Sequence, residues 1–281
     1  MRLVRFGAPG EERPGLLDQE GAIRDLSGII PDLDGAALAP EVLARLGALD
    51  PARLPRVEGR PRLGPPVAGV GKIVAVGLNY ADHAAETGAR IPAEPILFSK
   101  ATSAICGPFD DLELPRGSER TDFEVELAVV IGSRAKYVAE DRALEHVAGY
   151  LVINDVSERS FQIERGGQWV KGKSHDTFAP LGPWLVTREE VPDPNDLRLW
   201  LEVDGRRYQD GSTRTMIFKV PFLIHYISQF MTLHPGDVVA TGTPPGVGMA
   251  RNPPVFLRPG QTVRLGVEGL GVQEHRVVPA P

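Results

Sequence analysis

The apolar positions of the chain fall mostly in short runs, which predict strands rather than long helices. In the N-terminal part, residues 3–6, 15–18 and 22–26 have the length and apolar content of short strands, and residues 40–48 have helical spacing. Residues 51–66 then contain five prolines and few apolar side chains, which is typical of an extended linker. We therefore expect a small N-terminal α+β domain that ends, with its proline-rich linker, at residue 68.

The larger part of the chain, residues 69–281, also favours strands. The predicted strands are residues 73–76, 96–99, 123–131, 150–154, 197–203, 206–209, 237–242, 262–267 and 272–278. The predicted helices are residues 80–87, 142–148 and 222–230. Because strands outnumber helices without a regular strand–helix alternation, the pattern predicts a mixed α/β fold that is mainly β and disfavours a parallel doubly wound sheet.

Composition narrows the classes of function. The net charge is −6 and no basic stripe is present, so a nucleic-acid partner is not expected. No apolar run approaches the about 18 residues of a membrane span. The single Cys106 has no partner for an internal disulfide, and the first ten residues lack the apolar stretch of a secretory signal. We expect a cytoplasmic protein in which Cys106 is buried and inert.

Two carboxylates in the strand predicted over residues 123–131 are the first candidates for chemistry. A period of two puts Glu124 and Glu126 on one face, where like charges need a cation or an open solvent surface. On its own this spacing favours a solvated surface. Asp155, directly after an apolar strand, offers a third carboxylate. Three oxygen ligands without Cys or paired His favour Mg²⁺ or Mn²⁺ over zinc.

A histidine and a glutamate on the helix predicted over residues 80–87 are the second candidate. The i, i+3 spacing of His83 and Glu86 puts both on one helix face. A carboxylate beside an imidazole orients the ring and raises its basicity, as a base that deprotonates water requires. The alternative is an incidental contact on a surface helix.

The polar residues that follow Asp155, and a glycine-rich loop further on, leave two interpretations open. Arg159, Gln162 and Lys173 are either plain surface residues or part of a site. The rigid loop of residues 242–248 carries Thr243 and glycines whose N–H groups could approach an anionic ligand.

Taken in order, these motifs resemble the fumarylacetoacetate hydrolase family over roughly residues 70–278. The resemblance rests on Gly77-Leu-Asn-Tyr80 with His83 and Glu86, Phe98-Ser-Lys100, Asp122-Phe-Glu124-Val-Glu126, Asn154-Asp155 with Arg159 and Gln162, Lys173 with Asp176, and Thr241-Gly-Thr243-Pro-Pro-Gly246. It implies a β-roll catalytic domain over residues 69–281 and a homodimer or higher homo-oligomer. Residues 10–26 further resemble the branch that hydrolyses 2,4-diketo-3-deoxy-L-rhamnonate or L-fuconate.

The resemblance also implies roles for individual residues. Glu124, Glu126 and Asp155 would hold Mg²⁺, with Mn²⁺ as an alternative. His83 and Glu86 would activate water, and Lys173 would be the cation beside the reacting carbonyl. The residues expected to contact the substrate are Tyr80, Lys100, Arg159, Gln162 and Thr243.

The implied activity is Mg²⁺-dependent hydrolysis of the C3–C4 bond of a small 2,4-diketo acid. The preferred substrate would be L-2,4-diketo-3-deoxyrhamnonate, which gives pyruvate and L-lactate in rhamnose catabolism. In this hypothesis His83 deprotonates a water molecule that attacks C4. Acylpyruvate hydrolysis, oxaloacetate decarboxylation or muconate-type isomerisation are alternatives at the same site, and a non-catalytic, metal-dependent keto-acid binding module is an alternative of another class.

Overall fold

The strands of the computed structural model, which describes all 281 residues, are short and have few helices between them. In chain order they are β1 (Arg2–Phe6), β2 (Arg13–Leu17), β3 (Ile23–Asp25), β4 (Leu63–Gly64), β5 (Ile73–Gly77), β6 (Ile96–Lys100), β7 (Ile105–Cys106), β8 (Leu112–Leu114), β9 (Thr121–Asp122), β10 (Val125–Ile131), β11 (Val147–Asn154), β12 (Ser157–Glu158), β13 (Ala179–Thr187), β14 (Arg198–Val203), β15 (Arg206–Ser212), β16 (Val238–Ala240), β17 (Thr262–Val267) and β18 (Gly271–Pro279).

The helices are fewer and shorter. The α-helices are α1 (Pro40–Gly47), α2 (Ala81–Thr87), α3 (Arg159–Ile163), α4 (Val170–Lys173) and α5 (Val220–Phe230). The 3₁₀ helices are Pro51–Arg53, Thr102–Ala104, Glu140–His146, Arg188–Glu190, Thr213–Thr215 and Gly248–Ala250. Strands hold 33% of the chain and helices 20%, which confirms the predicted mixed α/β, mainly β fold. None of the helices combines the length and the apolar character needed to cross a bilayer.

The strands form two main sheets that enclose the core. The larger sheet has the order β3-β2-β1-β13-β11-β10-β16-β5-β6, with β4 beside β1 and β7 beside β13. The smaller sheet has the order β15-β14-β17-β18-β8, and β9 and β12 form a separate pair. β10 and β11 pack against the smaller sheet, and every residue of both strands is buried. Because β10 and β11 are covered on both faces, their sequences are almost continuously apolar.

The N-terminal residues share the larger sheet with the rest of the chain. β1 pairs with β13 through Arg2 opposite Val186 and Leu3 opposite Leu185. The proline-rich segment is extended in part, as its composition predicts, but it is not a free tether, because β4 pairs with β1. The guanidinium of Arg62 also donates to Asp110 on the far side of the proposed boundary. The division at residue 68 stays a prediction, and the larger sheet crosses it.

Two local predictions need correction, and one strand was not predicted. The helix predicted over residues 142–148 is a 3₁₀ helix that ends at His146, because Val147 already pairs with Ile131 in the sheet. The strand predicted from residue 123 begins at Val125, since the N–H of Glu124 donates to the side chain of Asn154 rather than to a strand. The central strand β13 has no counterpart among the predicted strands, because its prolines and glycine are typical of turns.

Candidate active site

The register between β10 and β11 brings three carboxylates together. Val125 lies opposite Asn154, so Glu124 and Glu126 on either side of Val125 come close to Asp155, which follows Asn154. One oxygen from each carboxylate lies within 4.8 Å of the others, and all three residues are buried. The solvated-surface interpretation of Glu124 and Glu126 is therefore wrong.

Three buried cations surround these carboxylates. Lys173, at the end of α4, donates to Oε2 of Glu124 over 2.7 Å and to Oδ2 of Asp155 over 2.6 Å. Lys100, at the end of β6, donates to Oδ1 of Asp155 over 2.5 Å. Arg159, at the start of α3, donates to Oε1 of Glu124 over 2.6 Å. The cations arrive from three separate elements, so this charge pairing exists only in the folded chain.

Asp122 completes the charged cluster. Its Oδ2 accepts a hydrogen bond of 2.9 Å from Nε of Arg159, and its carboxylate also accepts the backbone N–H groups of Gly248 and Met249. Asp122 lies in the Asp-Phe-Glu motif but was not among the predicted site residues. Its contacts show that it holds Arg159 in place.

The cluster has one more carboxylate than it has cations, and Glu126 is the carboxylate without a cationic partner. Four carboxylates face three cations, and Glu126 has none of them as a partner; its Oε2 accepts the N–H of Gly242. Burial and the negative charges of Asp155 and Glu124 raise the pKa of Glu126 well above its ordinary value. An ionised Glu126 therefore requires another cation. The three carboxylates are oxygen donors of the kind that bind hard divalent ions, so the donor set fits such an ion.

Glu124 differs from Glu126 because it has partners. Burial opposes ionisation of Glu124, but Arg159 and Lys173 outweigh that effect and lower its pKa to about 2. The same pairing raises the pKa of Lys173. Burial would lower this pKa, but Asp155 and Glu124 raise it above the ordinary value. Both groups are charged at neutral pH.

His83 lines the same cavity as these carboxylates, and Glu86 contacts His83. The helix predicted over residues 80–87 is confirmed as α2, which Gly88 ends in a left-handed conformation with φ 65°. Nδ1 of His83 lies 3.1 Å from Oε2 of Glu86, and the carboxylate of Glu86 also accepts the N–H of Gly246. An Nδ1–H donated to Glu86 leaves the lone pair on Nε2, the arrangement of a base.

A cavity of about 250 Å³ joins these groups. Its polar lining is His83, Thr87, Glu124, Glu126, Asp155, Arg159, Gln162, Lys173 and Thr243, and its apolar wall includes Val76, Leu78, Phe98, Ile163, Trp169 and Met249. The structure thus collects most of the predicted site residues around one space.

Three of the predicted residues lie outside this lining. Glu86 contacts His83, and the buried Lys100 donates to Asp155. Tyr80 is fully buried, and its hydroxyl has no hydrogen-bond partner. Thr243 does line the cavity, but its hydroxyl donates to the carbonyl of Val125 and accepts from Gln209. Cys106 is buried, as predicted.

Comparisons with known proteins identify the family of this chain. The model of the fumarylacetoacetate (FAA) hydrolase C-terminal region matches residues 72–278. The chain belongs to the fumarylacetoacetate hydrolase family. A Burkholderia multivorans protein, whose name provisionally calls it a hydrolase and gives no substrate, is 64% identical over 274 residues, 97% of each chain.

Two solved structures that are similar to this chain are named for different reactions. A maleylpyruvate hydrolase from Sphingobium sp. SYK-6, in complex with manganese(II) and pyruvate, is 29% identical with a TM-score of 0.83 over 100% of both chains. A 2-hydroxyhepta-2,4-diene-1,7-dioate isomerase from Mycobacterium marinum is 35% identical with a TM-score of 0.76, over 99% of this chain and 98% of the other. The chain is an enzyme of this superfamily of hydrolases and isomerases.

Proposed function

We propose that this protein is a divalent-metal-dependent hydrolase that cleaves the C3–C4 bond of a 2,4-diketo acid with an uncharged acyl end. The proposed substrate is L-2,4-diketo-3-deoxyrhamnonate, and the products are pyruvate and L-lactate. The observation that carries the proposal is the presence of a His83–Glu86 pair and a three-carboxylate cluster on one cavity. A catalytic domain over residues 69–281, a cytoplasmic location and a homodimer belong to the same proposal.

The metal would be held by Glu124, Glu126 and Asp155. Mg²⁺ suits three carboxylate oxygens, and Mn²⁺ is the alternative because the maleylpyruvate hydrolase from Sphingobium carries manganese. When bound, a divalent ion supplies electrostatic stabilisation of the negative charge that develops on the substrate's oxygens.

The chain's own residues account for the proton and the attacking water. Glu86 holds Nδ1–H of His83, so that Nε2 takes a proton from water and the resulting hydroxide adds to C4. The C3–C4 bond then breaks, its electron pair stays on C3, and the acyl end leaves as a carboxylic acid. The proton taken up by His83 is returned to C3, which completes pyruvate. Lys173 uses two of its three N–H groups on Glu124 and Asp155, which leaves one for a substrate oxygen.

The uncharged acyl end is inferred from how the cations are used. Arg159 and Lys173 are the cations in the cavity lining, and each is already paired with buried carboxylates. Phe98, Trp169 and Met249 belong to the apolar wall of the cavity and carry no charge. A second carboxylate on the substrate would be desolvated there without a free cation, which is costly.

Pyruvate release from a panel of substrates tests the proposal. The panel contains L-2,4-diketo-3-deoxyrhamnonate, acetylpyruvate, oxaloacetate and an acylpyruvate with a second carboxylate, each with Mg²⁺. We expect the rhamnose-derived acid to have the highest kcat/KM and the acylpyruvate with a second carboxylate to have the lowest. A tenfold preference for acetylpyruvate, about 1.4 kcal/mol, would overturn the proposed substrate. No pyruvate from any acylpyruvate would overturn hydrolysis and favour the non-catalytic binding module.

Isomerisation is a second candidate because a structure named as a dioate isomerase is 35% identical to this chain. It would use the same cluster but needs no attacking water. The products therefore distinguish the two reactions: hydrolysis adds water and releases pyruvate, whereas isomerisation only moves a double bond and a proton and gives a product of the same mass as the substrate. Conversion of a dioate to a product of the same mass, without release of pyruvate, would favour the isomerase.

A further inference from the structure

On the side of β10 away from β11, Val125, the strand residue between Glu124 and Glu126, is hydrogen-bonded to side chains rather than to a neighbouring strand. β16 pairs with β10 only from Ala128 to Val130, and the chain then leaves the sheet. At Val125, the N–H donates to Oε1 of Gln209 over 2.9 Å and the carbonyl accepts the hydroxyl of Thr243 over 2.9 Å. These two side chains replace the missing backbone partners of a buried strand.

The loop that follows β16 reaches both halves of the site through its backbone. The N–H of Gly242 donates to the carboxylate of Glu126, and the N–H of Gly246 donates to Glu86. The N–H of Gly248 donates to Asp122 over 2.6 Å. The position of one loop therefore sets a carboxylate of the proposed metal site, the partner of His83 and the residue that holds Arg159.

Gln209 connects that loop to the carboxylate strand. It lies on β15 in the smaller sheet and is fully buried. While its Oε1 accepts the N–H of Val125, its Nε2 donates to the hydroxyl of Thr243 over 2.7 Å and to the carbonyl of Pro244 over 2.9 Å. Both N–H groups of the carboxamide are thus used on the loop.

The backbone of β15 packs tightly against the same loop. A Cβ atom at Gly246 would lie 2.0 Å from the carbonyl oxygen of Tyr208, and one at Gly211 would lie 2.5 Å from Cβ of Pro244. Gly246 also has φ 110°, which disfavours any larger residue. The loop is therefore located by β15 as well as by its own prolines.

We infer that Gln209 is a positioning residue of the active site, because its carboxamide joins the strand between Glu124 and Glu126 to the loop that hydrogen-bonds Glu126 and Glu86. The role of Gln209 in catalysis rests on the proposed function. Its role in holding the loop does not, and the two are tested separately.

Gln209→Met removes all three hydrogen bonds and keeps the side-chain volume. Gln273→Met is the matched control: Gln273 is also fully buried on the smaller sheet, and its Nε2 donates to the carbonyls of Val152, Pro180 and Gly182, away from the loop. Hydrogen–deuterium exchange of residues 241–249 is measured in metal-free protein. We expect exchange at least tenfold faster in Gln209→Met and unchanged in Gln273→Met. Equal exchange in Gln209→Met and the parent would overturn the inference.

Calorimetric titration with Mn²⁺ tests the consequence for the site. We expect Gln209→Met to bind Mn²⁺ at least tenfold more weakly and to lose kcat, and Gln273→Met to keep the parental affinity even if its thermal unfolding temperature falls equally. If Gln209→Met does not fold, Gln209→Glu replaces it, since that change keeps the acceptor for Val125 and removes the donors to the loop. Absence of Mn²⁺ binding by the parent would defeat the proposed function, and the exchange comparison would still decide the role of Gln209.

Discussion

Nδ1 of His83 lies 3.1 Å from Oε2 of Glu86 on the same face of α2, and the backbone N–H of Gly246 donates to the same carboxylate oxygen over 3.0 Å. The imidazole is therefore held in one orientation by Glu86, whose carboxylate is itself held by Gly246. Such an arrangement keeps the lone pair on Nε2 and reduces the cost of orienting the base for each turnover.

Replacement of His83 tests the assignment of the base. We expect His83→Ala to lower kcat for pyruvate release by about 10²–10⁴-fold, the usual contribution of a positioned base, and to leave Mn²⁺ affinity within about twofold. Glu86→Gln should have a smaller effect on kcat, because the amide oxygen still accepts Nδ1–H without a full charge. His146→Ala is the control, since His146 bonds Ser133 far from the cavity. A parental rate in His83→Ala would refute the assignment.

Metal binding should stabilise the fold through the carboxylate cluster. At a Mn²⁺ concentration of about 100 times the dissociation constant, binding to the folded state alone adds about 2.7 kcal/mol to the free energy of unfolding. We expect thermal unfolding of the parent to shift upwards with Mn²⁺, and Glu126→Gln to lose most of that shift. Asp237→Asn, which changes a buried carboxylate paired with Lys72, should keep it. An equal shift in Glu126→Gln would place the ion elsewhere.

Gly77 limits the position of the cavity wall. A Cβ atom at Gly77 would lie 2.7 Å from the ring of Trp169, which packs edge-on against Phe98 with ring centroids 5.2 Å apart. We expect Gly77→Ala to displace Trp169 and raise KM by about tenfold, or about 1.4 kcal/mol, with a smaller change in kcat. Gly28→Ala is the control, because nothing lies within 4 Å of its added Cβ. An unchanged KM in Gly77→Ala would show that Trp169 does not set substrate binding.

Glu158 should make stability depend on acid pH. Burial alone would raise its pKa, but hydrogen bonds from Ser118, Ser160 and the backbone of Arg120 lower it below the ordinary value. The folded state then binds fewer protons than the unfolded state. The stabilisation is complete above the unfolded pKa and is lost as pH falls through the folded pKa, at about 1.4 kcal/mol for each unit of difference between the two pKa values.

Urea unfolding at several pH values between 7 and 3 measures this contribution. We expect Glu158→Gln to be less stable than the parent at pH 7 and to lose less stability on acidification. The exposed Glu119 gives the control variant, Glu119→Gln, which should follow the parent throughout. If Glu158→Gln loses as much stability as the parent between pH 7 and pH 3, then Glu158 does not contribute to the pH dependence.

The two residue pairs of the site that lie close together in the sequence could be predicted from their spacing. A three-residue interval places His83 and Glu86 on one turn of a helix, and a two-residue interval places Glu124 and Glu126 on one side of a strand, wherever the rest of the chain goes. The helix ends at Thr87, as predicted, and Gly88 caps it. The strand did not expose its carboxylates, because spacing defines a face but does not say what covers it.

The sequence by itself determined a mainly β fold and the two local pairs, since the periodicity of neighbouring residues encodes both. Only the tertiary structure decided that Asp155 joins Glu124 through the register of β10 and β11, and that Gly246 holds Glu86 from 160 residues away. It also revealed Gln209, an ordinary polar residue of a predicted strand, as the link between the two sheets at the site. Such contacts depend on strand order and burial, which no interval along the chain specifies.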